Sequence, residues 1–113
     1  MKTKILFVCS GGLDRSPTAE ELINKEFSDK FEARSCGLYP LTNSNEITKE
    51  VLSWADLIIV METRHKTEIL KKFKSSVQDK PEIIILDVSN RYLRNDPELK
   101  RVIKEKLFKL FRL

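Results

Sequence analysis

Three short runs of the chain are apolar without interruption, and most of the remaining apolar positions recur at helical spacing. Ile5-Leu6-Phe7-Val8, Leu57 to Met61 and Ile83-Ile84-Ile85-Leu86 have the length and continuity of strands buried on both faces of a parallel sheet. Phe31-Glu32-Ala33-Arg34-Ser35-Cys36-Gly37 is weaker by propensity. It reads as a further strand because it ends at glycine and lies between two helix-like stretches. Ala19, Leu22, Ile23 and Phe27 form one helical stripe, and Ile47, Val51, Leu52 and Trp54 a second that ends near Ala55-Asp56. Ile69, Leu70 and Phe73 form a third, with Lys66, Lys71, Lys72 and Lys74 outward; Leu99, Val102, Ile103, Leu107 and Leu110 form the last. The expected caps are Ser16 with Pro17 as first helical residue, then Ser44 or Asn45, then Thr63, then Asp96 before Pro97. Leu38 to Asn45 and Ser75 to Pro81 read as loops.

Strands alternating with helices predict an α/β fold, a four-stranded parallel sheet with right-handed crossovers and helices on both faces. The length of 113 residues suits one domain, residues 1–113, with a single modest core. Ligands bind such sheets at the carboxyl ends of the strands, which is where Cys9 falls.

Composition narrows the function. Basic residues number 21 against 17 acidic, a net charge of +4, and lysines are mostly interleaved with glutamates. That describes a solvated surface with a mild preference for anionic substrates, and nucleic acid is not the expected partner. No apolar run is long enough to span a membrane, and Met1-Lys2-Thr3-Lys4 leads into a strand rather than a signal peptide, so a cytoplasmic protein is expected. Cys9 and Cys36 form no C-x-x-C pair and no disulfide framework, which fits a reducing compartment. His65, the one histidine, has no cluster of ligands around it in sequence and reads as a surface or capping residue. No metal and no other cofactor is expected.

The candidate chemistry lies in Cys9-Ser10-Gly11-Gly12-Leu13-Asp14-Arg15-Ser16. Gly11 and Gly12 let backbone amides turn inward as an anion-binding nest between strand and helix. The helix that follows adds unpaired donors and the positive end of its dipole. Arg15 adds a rigid fork matched to two oxygens of a tetrahedral oxyanion, and the same groups favour the thiolate of Cys9. A nucleophile and a cradle built from Ser10 to Ser16 therefore coincide.

Cys9 and Arg15 have the C-x-x-x-x-x-R spacing of cysteine phosphatases, and Arg15-Ser16-Pro17-Thr18-Ala19-Glu20 continues it in a way that resembles the low-molecular-weight protein tyrosine phosphatases, in particular their small members. Ser35-Cys36-Gly37 is similar to the family's S-A-G, and Trp54 to Glu62 is similar to its W-A-D-x-I-x-V-M-E. The resemblance implies that Cys9 attacks phosphorus, that Arg15 and the loop amides hold the nonbridging oxygens, and that a phosphocysteine forms and is hydrolysed. A phosphorylated protein or small aryl phosphate would be the substrate. Ser16 either donates to the thiolate or caps the helix.

Family members carry a general acid as aspartate in the loop before the last helix, within L-D-I-P-D-x-Y in the small members. Leu86-Asp87-Val88-Ser89-Asn90-Arg91-Tyr92 is similar, with Asn90 in place of the second aspartate, and an amide cannot act as that acid. Asp87 is the preferred substitute and Asp96 the alternative, each with a structural role open to it as turn residue or helix cap. The family also usually has Asn, which braces the loop, where Gly12 stands, and Asp14 places a carboxylate in the cradle. At about 6 Å and an effective dielectric near 20, that charge would oppose each unit of phosphate charge by about 3 kcal/mol. The alternatives are a noncatalytic phosphate-binding module and a thiol-dependent oxyanion (arsenate) reductase, the latter requiring Cys36 to pair with Cys9.

Overall fold

The computed structural model describes residues 2–40 and 45–113. Its elements run β1 (Thr3–Cys9), α1 (Arg15–Glu26), β2 (Phe31–Gly37), α2 (Lys49–Trp54), β3 (Leu57–Val60), α3 (Thr63–Lys72), α4 (Lys74–Val77), β4 (Ile84–Ile85) and α5 (Pro97–Phe111). The four strands form one sheet in the order β2-β1-β3-β4, and every pairing is parallel. This is the α/β architecture that the apolar runs predict. The central strand β1 carries Ile5, Leu6, Phe7 and Val8, all fully buried, because a strand between two neighbours with helices on both faces has no solvent side.

Alternation along β1 divides the core into two layers. Ile5, Phe7 and Cys9 pack with Ala19 and Ile23 of α1 and with Leu99, Ile103 and Leu107 of α5. Leu6 and Val8 pack on the other face with Cys36, Leu52 of α2, Ile69 of α3 and Val77 of α4. Leu70 and Leu110, expected to face inward, are partly solvent-exposed, each at the margin of its helical stripe.

Helix starts depart from the sequence reading. α1 begins at Arg15 behind Asp14, so Ser16 lies inside the helix rather than capping it, and Pro17 is the third helical residue. Pro17 still costs nothing, since the first four amides of a helix have no intrahelical acceptor. Thr48, not Asn45, caps α2 by accepting from Val51 N–H, while Ser44 lies outside the described residues. Glu62 takes the cap of α3 in place of Thr63 and forms a capping box with His65. Asp96 caps α5 as expected, accepting from Glu98 N–H with Pro97 behind it. Among the described residues, no helix is long and apolar enough to cross a membrane.

Candidate active site

Cys9 ends β1 and is almost fully buried, with its sulfur facing the turn into α1. Gly12 N–H donates to Cys9 Sγ at 3.2 Å, and Ser16 Oγ lies 3.1 Å from the same sulfur. Gly12 reaches back because its backbone is left-handed, at φ 68°, a conformation that glycine adopts without strain. Ser16 Oγ also donates to Cys36 O at 3.3 Å, so its one proton serves either the carbonyl or the sulfur. A thiolate, which has no proton to give, draws it to the sulfur.

Arg15 is buried in the first turn of α1, and three groups aim its guanidinium. Nη1 donates to Glu62 Oε2 at 2.5 Å and to Val88 O at 2.7 Å, and Nη2 donates to Ser10 Oγ at 3.4 Å. A buried cation needs this partnering, because its desolvation would otherwise disfavour the fold. Arg64, on α3, donates to Glu62 as well and to Ser10 Oγ at 2.8 Å. The hydrogen bond from Arg64, supported by Arg15 and opposed by burial, lowers the Glu62 carboxyl to about 2. His65, read from the sequence as a surface or capping residue, is a capping residue, as its place in the capping box of α3 shows, but it is fully buried beneath this cluster. Its Nδ1 accepts from Glu62 N–H at 3.0 Å, so a neutral ring carries its proton on Nε2, which donates to Ser10 Oγ at 2.9 Å. Burial first, then the charge of Arg15, lowers His65 to about 4, and the ring is neutral near pH 7.

A cleft of about 150 Å³ opens over these groups, lined by Cys9, Ser10, Gly11, Leu13, Asp14, Arg15, Asn90 and Tyr92. The fold thus brings together the stretch that the sequence singles out. Asn90 reaches the cleft from the loop after β4, whereas Asp87 does not line it. Asp87 is exposed, with a left-handed backbone at φ 62°, and Asp96 caps α5; neither is among the residues that line the cleft. Asp14 does line the cleft, but its Oδ1 accepts from Arg94 N–H at 2.8 Å, which draws the carboxylate toward the loop before α5.

The second thiol is placed for a different role. Cys36 pairs in register with Val8, one residue short of Cys9, and packs in the opposite core layer. Both thiols are free. The parity of the strands turns them to opposite faces of the sheet, which removes the geometric basis for a redox pair and for the reductase reading. Burial and the nearby Cys9 push Cys36 up to about 12. Glu62, His65 and Tyr92 lie in or beneath the cleft and are not singled out by the sequence. Glu62 had a signal, since it closes the Trp54 to Glu62 stretch.

Residues 4–53 match the model of the low molecular weight phosphotyrosine protein phosphatase family. A curated protein-arginine-phosphatase from Geobacillus stearothermophilus is 27% identical over 94 residues, 65% of this chain, and the match spans 64% of that relative, a little under two thirds of its length. Among solved structures, the low molecular weight protein tyrosine phosphatase from T. tengcongensis superposes with a TM-score of 0.77 at 22% identity, covering 98% of this chain and 99% of that one. The tyrosine phosphatase Wzb from Escherichia coli K30, solved in complex with phosphate, gives a TM-score of 0.77 at 18% identity over 99% and 98%. The YwlE arginine phosphatase from Geobacillus stearothermophilus gives 0.68 at 22% over 97% and 93%. The family that the sequence resembles is thus also the one whose model matches residues 4–53, and the solved phosphatases extend that likeness, in fold alone, over nearly the whole chain.

Proposed function

We propose that this chain is a cysteine-dependent phosphomonoesterase of the protein tyrosine phosphatase type. The observation that carries the reading is the sulfur of Cys9, held by Gly12 N–H and Ser16 Oγ at the floor of a cleft that also presents buried Arg15. In the first step the Cys9 thiolate forms a bond to phosphorus, and the ester oxygen leaves with the P–O electron pair and takes a proton. Arg15 and the amides of Ser10 to Ser16 hold the nonbridging oxygens, where charge builds in the transition state. Water then attacks the phosphocysteine, releasing inorganic phosphate and the thiolate.

Proton donation to the leaving oxygen is the poorly equipped step, because Asn90 occupies the cleft wall and the carboxyl of Asp87 lies outside it. Activated aryl phosphates, whose leaving groups depart as anions, should therefore turn over far better than phosphotyrosine. A curated relative and a solved structure, both from Geobacillus stearothermophilus, are named for arginine phosphatase activity, which makes phosphoarginine a substrate to assay beside phosphotyrosine. A phosphorylated protein or small aryl phosphate is the partner in this reading, with no nucleic acid, membrane or cofactor involved. A reducing cytoplasm suits its free thiols.

The test is turnover of p-nitrophenyl phosphate by the wild type, Cys9→Ser and Asn90→Asp. Turnover abolished by Cys9→Ser, with Asn90→Asp raising the rate on phosphotyrosine more than on p-nitrophenyl phosphate, is the expected outcome. Turnover that survives Cys9→Ser would overturn the mechanism. Phosphate binding without turnover in any variant would establish the second reading, a phosphate-binding module, which the amide of Asn90 favours.

A further inference from the structure

Gly12 has no side chain, yet the space where one would begin is filled. A Cβ built on Gly12 would lie 2.4 Å from Asn45 Nδ2 and 2.8 Å from the backbone nitrogen of Gly37. The occupant is the carboxamide of Asn45, a residue 33 positions along the chain, and its Nδ2 donates to Gly12 O. Its other end is unusual, because Oδ1 is buried and has no hydrogen-bond partner among the described residues. An unpaired buried acceptor disfavours the folded state by an amount comparable to a lost hydrogen bond, so a small apolar residue would suit the site better if packing alone mattered.

The peptide plane gives the donor a purpose. A trans peptide directs its C=O and N–H to opposite sides, so holding Gly12 O toward Asn45 turns the Leu13 N–H the other way, toward the cleft that Leu13 lines. The segment that carries Asn45 is itself fixed to the end of β2: Gly37 bridges to Glu46, and Ile47 N–H donates to Gly37 O at 3.0 Å. The cradle loop is thus braced from the β2 side at its one left-handed residue.

We propose that Asn45 is a positioning residue of the oxyanion cradle: by holding the Gly12 carbonyl it presents the Leu13 amide to a bound phosphate oxygen. The proposal rests on the cradle reading above. Asn45 touches no substrate and acts through the Gly12–Leu13 peptide. Asn45→Asp keeps the size of the side chain but replaces the donor by an acceptor facing a carbonyl, and Asn45→Ala removes the brace.

The experiment is a titration of the ¹⁵N-labelled full chain with inorganic phosphate, followed through the backbone amide resonances, with orthovanadate inhibition and thermal unfolding measured in parallel. In the wild type the Leu13 amide should move on saturation as an amide that gains an anionic acceptor does. In Asn45→Asp the Leu13 shift should be lost and phosphate affinity should fall about tenfold, which corresponds to one bond to an anion. A role in packing alone would lower the unfolding temperature of Asn45→Ala and leave the affinity and the Leu13 shift of the folded variant as in the wild type; that result overturns the proposal. Should both variants fail to fold, the wild type still decides, because a Leu13 amide unmoved by saturating phosphate overturns it. Wild-type protein that binds no phosphate at all would instead remove the cradle reading, and this inference with it.

Discussion

Cys9 and Cys36 are both buried thiols, yet their surroundings set them to different chemistry. Cys9 faces the mouth of the cleft and receives donors, whereas Cys36 sits in the opposite core layer with its thiol pushed up to about 12. Iodoacetamide at pH 7 to 8 should therefore label Cys9 and spare Cys36, and phosphate should protect Cys9. Peptide mapping showing equal labelling of the two, indifferent to phosphate, would contradict the anion cradle. Asp14 makes the second prediction at this scale. Its carboxylate lines the cleft, but half of it is engaged by Arg94 N–H, and Asn would keep an acceptor there. Asp14→Asn should strengthen vanadate inhibition by about 1 kcal/mol, roughly fivefold, the value expected for a charge at the cleft rim between the dielectric limits of protein and water. Inhibition left unchanged would mean that the carboxylate is screened by solvent.

At the level of elements, the cradle depends on how closely β2 approaches the loop after β1. Gly37 ends β2, and a Cβ added there would lie 2.5 Å from Gly11 C and 2.6 Å from Gly12 N, both backbone atoms without a rotamer to yield. Gly37→Ala should thus displace the loop, cost about 2 kcal/mol as overpacking does, and weaken phosphate binding together with stability. Urea unfolding and phosphate titration on the same sample would check it; a fully stable variant with wild-type affinity would show that the two segments can part. The helices that support the cradle differ in how they start. Asp96 caps α5 from sequence logic alone, whereas Glu62 is drawn to the cap of α3 while also accepting from Arg15, so one carboxylate serves both a helix and the site.

Across the whole molecule, the cluster under the cradle links folding to pH. His65 is depressed in the folded chain to about 4, below its ordinary 6.5, so between those values the unfolded chain takes up a proton that the folded chain refuses. Glu62 is depressed to about 2 from 4.5, which gives the same sign over a lower window. Stability from both groups is complete above pH 6.5, and acidification removes the His65 share between pH 6.5 and 4 and the Glu62 share between 4.5 and 2. The His65 share is roughly 3 kcal/mol. Urea unfolding as a function of pH should show this decline, and His65→Asn should flatten the part above pH 4.5. A wild-type profile level from pH 6.5 to 4.5 would contradict the buried neutral ring.

Neighbouring residues carry the local chemistry and all the elements but α4 (Lys74–Val77), which reaches into Ser75 to Pro81, a stretch that reads as a loop. Apolar runs as short as Ile5 to Val8 suit a strand buried on both faces, a Cys, two glycines and an Arg between strand and helix make up the proposed anion nest, and Asp96-Pro97 opens a helix. These are properties of neighbours in the chain, which is why they were legible. Which distant groups meet at the cradle depends instead on how the elements pair and pack. Parallel register set Cys36 opposite Val8 and so on the other face from Cys9. The approach of the segment before α2 put Asn45 against Gly12, and the crossover to β3 brought Glu62 to Arg15 and buried His65 behind Ser10. The loop after β4 brought Asn90 rather than Asp87 to the cleft, and Asp87, left-handed at φ 62°, is exposed. Contacts across 33 or 47 residues depend on how strands pair and helices pack, and no local preference of the chain encodes them.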